Sequence, residues 1–180
     1  MSIENRLLNW YLINKRKLPW RNNKDPYSIW ISEIILQQTK VSQGTEYYKK
    51  FMRKFPNIKK LSMSDESEVL KVWQGLGYYN RAINLHKTSK EITNNFGGKF
   101  PSDYKDLINL KGIGDYTASA ISAIAFNKSI IPLDGNIERV LKRYLYLKKE
   151  NEINKENLIK KKEIFGYSSR ASDYAQALMK

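Results

Sequence analysis

Two carboxylic acids, Glu33 and Asp134, lie in surroundings that predict opposite shifts of their pKa values. Glu33 is the only charged residue in the apolar stretch from Ile29 to Leu36. Desolvation should raise the pKa of its carboxyl and suit it to general acid catalysis, unless it lies on the exposed side of an amphipathic helix. Asp134 precedes Gly135 at the start of a predicted helix, where backbone N–H groups should lower its pKa and keep it ionised, whether or not it also caps the helix. An acid and an anion together suit an acid-assisted bond cleavage.

The segment from Leu110 to Gly114 joins two predicted helices and contains a second glycine, Gly112. The two glycines let the backbone turn tightly and approach another surface without a Cβ atom in between. The free N–H groups of the following helix, together with Lys111, would then bind an anion such as a DNA phosphate. Taken alone, the segment is at least as typical of an ordinary tight turn.

The composition favours a polyanionic partner. The 180 residues include 32 Lys and Arg against 18 Asp and Glu, a net charge of +14. We expect this partner to be nucleic acid first and an acidic membrane surface second. Alternatively, the positive charge reflects a proteome that is basic in general and indicates no particular partner. The chain has no Cys, which excludes disulfides, thiol nucleophiles and Cys-based metal sites within it. No signal peptide or membrane span is recognisable, so we expect a cytoplasmic protein that associates with the nucleoid when on DNA.

The hydrophobic periodicity and the capping signals predict an all-α fold. Asp25 and Pro26 are typical of the start of a helix that runs to Gln38, although the same apolar run would also suit a buried strand. Further helices are predicted at residues 2–11, 41–55, 64–73, 79–96, 102–110, 115–126 and from 137 onward. The first helix is expected to present one apolar face, formed by Ile3, Leu7, Trp10 and Tyr11. A solvated helix or loop with mixed charges is expected at residues 148–163.

Five short blocks of sequence follow one another along the chain. They are residues 18–21 (LPWR), 32–39 (SEIILQQT), 75–79 (GLGYY), 110–118 (LKGIGDYTA) and 133–136 (LDGN). The last two blocks resemble the helix-hairpin-helix, Gly/Pro-Asp superfamily of DNA glycosylases. The other three narrow the resemblance to the adenine DNA glycosylases that act opposite 8-oxoguanine or guanine, the MutY family. The likeness extends from the first helix to about Val140.

The resemblance implies a fold of two helical lobes. Residues 22–131 are expected to form a six-helix barrel that contains the helix-hairpin-helix. Residues 1–21 and 132–180 are expected to form the second lobe from both chain ends. This lobe is expected to be incomplete, because the family continues into a part that this chain lacks.

The resemblance also implies roles for three residues in cutting an N-glycosidic bond. Glu33 would protonate the adenine, and Asp134 would stabilise the positively charged sugar or attack it. Tyr116 stands where relatives resembling endonuclease III have a lysine that forms a Schiff base. Tyrosine cannot do this, so we expect a monofunctional glycosylase that leaves an abasic site.

Base flipping implies further contacts with double-stranded DNA. Gln38 and Tyr78 resemble the wedge that fills the space left by the flipped base. The expected DNA-binding residues are Gln38, Thr39, Tyr78, Lys111, Gly112 and Gly114. The expected base-pocket residues are Arg16, Trp20, Arg21, Leu36 and Gln37. Core packing is the alternative for Tyr78 and Trp20. His86, the one histidine, is expected to make a satisfied polar contact rather than to act in catalysis.

Members of the resembled family usually bind a [4Fe–4S] cluster through four cysteines and carry a further domain that reads 8-oxoguanine. This chain has neither the cysteines nor the length for that domain, so we expect no cofactor and no metal here, and a monomer on DNA. The chain is interpreted as a truncated product, or as the product of a gene that is degenerate or unusually short. Stability, activity and discrimination of 8-oxoguanine are the properties that this difference would weaken.

Two other functions fit the same residues. A thymine or uracil mismatch glycosylase of the same superfamily would share the acid, the tyrosine and the aspartate, although residues 36–39 favour adenine. A truncated remnant that binds mismatched DNA without turnover would need the same hairpin and the same positive charge.

Overall fold

The all-α class predicted from the sequence is confirmed. A computed structural model describes residues 2–147, 157, 158, 160 and 162–179, and no strand occurs among them. The α-helices are α1 (Ile3–Asn14), α2 (Pro26–Leu36), α3 (Val41–Lys54), α4 (Ile58–Ser62), α5 (Glu66–Trp73), α6 (Asn80–Asn95), α7 (Tyr104–Asn109), α8 (Asp115–Ile124), α9 (Gly135–Tyr144) and α10 (Ala171–Leu178). Short 3-10 helices span Pro19–Arg21 and Lys162–Phe165. The short helix α4 was not predicted from the sequence.

Side-chain caps fix the start of three helices that position the site. Ser2, Asp25 and Asp134 each accept a hydrogen bond from a backbone N–H in the first turn of α1, α2 and α9, respectively. These bonds satisfy N–H groups that have no partner within the helix. The sequence predicted all three starts, because each depends only on residues within one turn. In α2 the cap decides for a helix over the buried strand that the apolar run would also have suited.

The larger hydrophobic cluster is built around α2, whose apolar side chains are buried on nearly every side. Helix α2 packs against α3 and α8, and α6 packs against α4 and α5. The largest fully buried side chains in this cluster are Trp30, Phe51, Phe55 and Trp73. A helix that is apolar all round needs neighbours on all sides. The packing therefore holds α2, and Glu33 on it, in one orientation.

A smaller cluster joins the two chain ends. It contains Leu8, Ile131, Ile137, Leu141, Leu158, Tyr174 and Leu178, and α1 packs against α10 within it. Trp20 belongs to the larger cluster and Ile131 to the smaller one, so each packs across the domain limits expected from the sequence. Helix α10 also packs against α8, which connects the two clusters.

The face of α1 that packs inward agrees with the predicted one at Leu7 and Tyr11 and differs from it at Ile3 and Trp10. Leu8 and Tyr11 are buried, whereas Ile3 and Trp10 are 50% and 45% exposed. Contact with α10 selects this face, because Leu8 packs in one cluster with Tyr174 and Leu178 of α10. The Tyr11 hydroxyl also donates to Gln176 Oε1 of α10 at 3.1 Å. Helical spacing alone did not indicate which of the neighbouring apolar stripes would find a partner.

Two further expectations concern the rest of the chain. The prediction for residues 148–163 falls mostly outside the described residues, although Lys162–Phe165 forms a 3-10 helix. Among the described helices, none has both the length and the apolar character needed to span a membrane.

Candidate active site and nucleic-acid interface

Glu33 and Tyr116 meet between α2 and α8. The Tyr116 hydroxyl donates a hydrogen bond to Glu33 Oε2 at 2.8 Å, across 83 residues of sequence. Burial raises the pKa of Glu33 to about 7, although the bond from Tyr116 opposes the shift. The nearby charge of Asp134 raises this pKa further. Glu33 therefore carries a proton on a substantial fraction of molecules near neutral pH, as a general acid requires.

A small cavity of about 40 Å³ lies beside Glu33. Its lining residues are Trp20, Arg21, Ile29, Ser32, Glu33, Ile124, Gln176 and Met179. Arg21 Nη1 is buried there without a hydrogen-bond partner in the described part of the chain, and burial lowers the pKa of its guanidinium. The volume suits a water molecule rather than a purine. Gln176 and Met179, from or just after α10, line this cavity and were not predicted.

Asp134 caps α9, and its charge acts on Glu33. Its Oδ1 accepts from the Ile137 N–H at 2.8 Å, and its Oδ2 accepts from Asn136 Nδ2 at 3.1 Å. The predicted lowering of its pKa is wrong, because burial raises the pKa more than these hydrogen bonds lower it. The sequence indicated the cap and the helix dipole but did not reveal the desolvation that outweighs them.

Asn136 holds Asp134 in place and has no assigned role from the sequence. The same Nδ2 group that donates to Asp134 also donates to the Met179 carbonyl at 3.0 Å. This amide thus links the start of α9 to the end of α10. Its position two residues after an N-cap aspartate is a local signal that could have identified it.

Gln38 and Tyr78 line one open cavity of about 690 Å³, together with Gln37, Tyr79, Asn80 and Arg81. Both wedge candidates have left-handed backbone, with φ of 56° at Gln38 and 47° at Tyr78. Tyr78 is 67% exposed, so core packing does not account for it. Two residues that were predicted to act together are therefore brought to one cavity.

The hairpin lies between α7 and α8, as predicted. Gly112 has a φ of +77°, and a Cβ there would lie 2.8 Å from Asn84 Cβ, so the fold itself requires this glycine. A Cβ on Gly114 would meet no atom within 4 Å, and its φ of −90° suits any residue. Gly114 is also the N-cap of α8 and has no side-chain cap. The first N–H groups of α8 are therefore open to an external acceptor.

A third cavity, of about 170 Å³, connects the hairpin to the wedge region. Gln37 and Arg81 line one part of it, and Lys111 and Gly112 another. Lys111 is exposed, and its carbonyl accepts a hydrogen bond from the Thr88 hydroxyl. The hairpin and the wedge candidates are thus neighbours in space.

The remaining predicted residues lie at the edges of this region. Leu36 lies against Gly44 of α3, away from the cavity beside Glu33. Arg16 is exposed, and its charge lowers the pKa of Arg21. The Thr39 hydroxyl bonds to the Gln37 carbonyl at 3.3 Å. His86 is buried with Nε2 2.9 Å from the Ser64 carbonyl oxygen, the satisfied polar contact expected for it.

This helical fold, in which a glycine hairpin leads directly into the helix of Tyr116, is that of a helix-hairpin-helix protein. The sequence model of the HhH-GPD superfamily of base excision DNA repair proteins matches residues 31–163. The chain belongs to this family.

Several curated relatives are adenine DNA glycosylases. One from Buchnera aphidicola subsp. Baizongia pistaciae is 44% identical over 174 residues, which cover 96% of this chain and 50% of that relative. The one from Arabidopsis thaliana is 37% identical over 201 residues, covering 96% and 32%. The one from Homo sapiens is 39% identical over 146 residues, covering 76% and 27%. The chain therefore spans half the length of these relatives or less.

Solved structures support the same fold. A thermostable thymine-DNA glycosylase matches with a TM-score of 0.85 and 28% identity, over 98% of this chain and 82% of that one. A trapped covalent complex of endonuclease III with DNA matches with a TM-score of 0.79 and 18% identity, over 98% and 81%. At the lower identity, the likeness extends to the fold alone.

The residues of this chain do not fit an iron–sulfur cluster. Such a cluster is held by Cys thiolates, and the 180 residues contain no Cys. In the described part of the chain, no group of three or more His, Cys, Asp or Glu is arranged to hold a metal ion.

Proposed function

We propose that the chain is a monofunctional DNA glycosylase of base excision repair that removes adenine opposite 8-oxoguanine or guanine. The main observation behind this proposal is the state of Glu33. Its carboxyl has a pKa of about 7, lies beside a cavity, and accepts a hydrogen bond from the Tyr116 hydroxyl at 2.8 Å. The relatives named adenine DNA glycosylase support adenine as the base. The chain would act as a monomer on double-stranded DNA, in the cytoplasm at the nucleoid.

The reaction follows from the two carboxyl groups. Glu33 donates its proton to a ring nitrogen of the flipped adenine while the bond between the base and C1′ breaks, and the bonding electron pair leaves with the base. The sugar becomes an oxocarbenium ion, which the carboxylate of Asp134 stabilises until water adds to C1′. The added water gives its proton to the carboxylate of Glu33, which restores the acid. The products are free adenine and an abasic site.

Tyr116 supports hydrolysis rather than strand cleavage. A phenol cannot form a Schiff base with C1′, and its hydroxyl is already bonded to Glu33. Its part is to hold the acid in one orientation. Reduction with borohydride should therefore trap no efficient covalent complex with DNA.

The interface proposed for DNA combines charge with an open helix end. The net charge of +14 attracts the phosphate backbone, and the uncapped start of α8 offers N–H groups to one phosphate. Lys111 adds a positive charge beside it. Gln38 and Tyr78 supply the polar and aromatic groups that fill a flipped-base gap.

Alkaline cleavage of three duplexes tests the proposed function. The duplexes pair A with 8-oxoguanine, A with G, or T with G, and alkali breaks the strand wherever a base has been removed. Breaks in the first two alone are the expected result. Breaks without alkali would contradict the monofunctional mechanism.

The thymine mismatch glycosylase is a second candidate, favoured by the TM-score of 0.85 to a thymine-DNA glycosylase. Breaks in the T:G duplex alone would establish it instead of the adenine enzyme. Binding without breaks in any duplex would identify the chain as a DNA-binding remnant without turnover.

The two hairpin glycines should respond differently to alanine. Gly112→Ala meets Asn84 and forces a positive φ on alanine, so it should lower the free energy of unfolding by at least about 1 kcal/mol. Gly114→Ala fits the backbone and meets no atom, so the melting temperature should stay that of the parent. Its methyl group would instead obstruct the approach of a phosphate, and the Kd for duplex DNA should rise.

Thermal melting of both variants measures the effect on stability, and a DNA titration of both measures the effect on the phosphate contact. Gly135→Ala is a matched control, because a Cβ there also meets no atom, at the start of α9 rather than α8. An unchanged Kd for Gly114→Ala would exclude the hairpin as the phosphate contact.

A further inference from the structure

Gln38 and Tyr78 keep an unfavourable backbone conformation at the same cavity. Their φ angles of 56° and 47° fall in the left-handed region, which is unfavourable for any residue other than glycine. They belong to separate segments, one after α2 and one between α5 and α6. Some other group must hold both segments in place for the two conformations to persist.

Arg81, on α6, joins the two segments through its guanidinium. Its Nη1 donates to the carbonyls of Ile34 and Gln37 at 2.8 and 2.6 Å, at the end of α2. Its Nη2 donates to the carbonyls of Leu76 and Gly77, both at 3.4 Å, on the other segment. Each of the two terminal nitrogens thus binds one segment. Because the guanidinium is planar and rigid, it fixes the distance between the two segments.

The same guanidinium also contacts the aromatic wedge. Its carbon lies 5.5 Å from the ring centroid of Tyr78 and 5.3 Å from that of Trp73. Trp73 is fully buried and donates through Nε1 to the Gly77 carbonyl at 3.1 Å. The guanidinium of Arg81 therefore contacts both rings and links the exposed ring of Tyr78 to the buried indole of Trp73.

We propose that Arg81 is a positioning residue for base flipping, which sets the separation of Gln38 and Tyr78 across their cavity. This inference rests on the proposed function, since it assigns a cause to the geometry of the wedge. Lysine would keep the positive charge but would lose the fork, because a single ammonium cannot place separate nitrogens on two segments. A misplacement of about 1 Å at such a site can reduce the rate by about 100-fold.

The test measures flipping separately from turnover. Arg81→Lys is made in the full chain carrying Glu33→Gln, and both proteins bind a duplex with 2-aminopurine in place of the adenine opposite guanine. This base becomes more fluorescent when it leaves the stack. The Glu33→Gln parent should show the increase, and Arg81→Lys should reduce the flipped population at least about tenfold. Arg53→Lys, the same change on an exposed part of α3, should show the parental signal.

A second duplex separates positioning from a general loss of structure. When 2-aminopurine faces an abasic site, it is already unpaired, so a positioning role predicts a smaller loss for Arg81→Lys on this duplex. Equal losses on both duplexes, or a parental signal on both, would overturn the inference. If the parent itself gave no increase on either duplex, the proposed glycosylase function would fail first, and the role of Arg81 with it.

Discussion

We expect Glu33→Gln to reduce the single-turnover rate of adenine removal by about 10²–10⁴-fold, the range that general acid catalysis supplies. Glutamine has nearly the same shape and can still accept the hydrogen bond that Tyr116 donates to Glu33. It has no acidic proton for the leaving base. Affinity for the A:8-oxoguanine duplex should stay that of the parent, because no phosphate contact is proposed for this side chain.

The pH dependence of the parent gives an independent measure of the same proton. The acid acts in its protonated form, so the rate should fall as the pH rises through about 7, where Glu33 loses its proton. Above this pH, the folded protein must bury a carboxylate that glutamine does not have. The melting temperature of Glu33→Gln should therefore exceed that of the parent at pH 8 and approach it at pH 4.

A matched substitution distinguishes the loss of the proposed catalytic acid from the general effect of replacing a glutamate by glutamine. Glu46→Gln makes the same change at an exposed carboxylate, which pairs with Lys49 at 3.0 Å on α3. Its rate and pH profile should be those of the parent. Parental turnover by Glu33→Gln would remove Glu33 from the mechanism.

The features that the sequence predicted correctly depend on few and nearby residues. The caps Ser2, Asp25 and Asp134 act within one turn of their helices, and the hairpin is specified by a short glycine motif. The raised pKa of Glu33 was also predictable, because the sequence surrounds this residue with apolar side chains such as Trp30, Ile31 and Ile34, which are buried in α2. The family resemblance then brought distant residues such as Tyr116 and Asp134 into the same hypothesis.

The features that the sequence did not predict depend on contacts between distant segments. Arg81 bonds to Ile34 and Gln37 from more than 40 positions away, and one arginine among many in a basic chain gives no local signal of this role. The direction of the Asp134 pKa shift depends on how deeply the fold buries the carboxylate, which the cap motif does not encode. The same holds for the inward face of α1, which its contact with α10 selects.

We expect Asp134→Asn to reduce the rate of adenine removal by about 100-fold or more, as removal of one charge-stabilising group does in other active sites. Asparagine is as good an N-cap as aspartate, so its oxygen should keep the bond from the Ile137 N–H, and α9 should remain folded. The lost property is the negative charge that stabilises the oxocarbenium ion. Single-turnover kinetics and thermal melting of the same variant measure the two properties separately.

Asp25→Asn provides the control, because Asp25 caps α2 through bonds of the same kind and has no proposed part in the chemistry. The pH profile adds a readout that a cap alone would not change. The charge of Asp134 raises the pKa of Glu33, so its removal should move the fall in rate to lower pH. A variant with the parental rate and the parental profile would mean that Asp134 only caps α9. A lower rate with a shifted profile would mean that the two carboxyl groups act as one acid–anion pair.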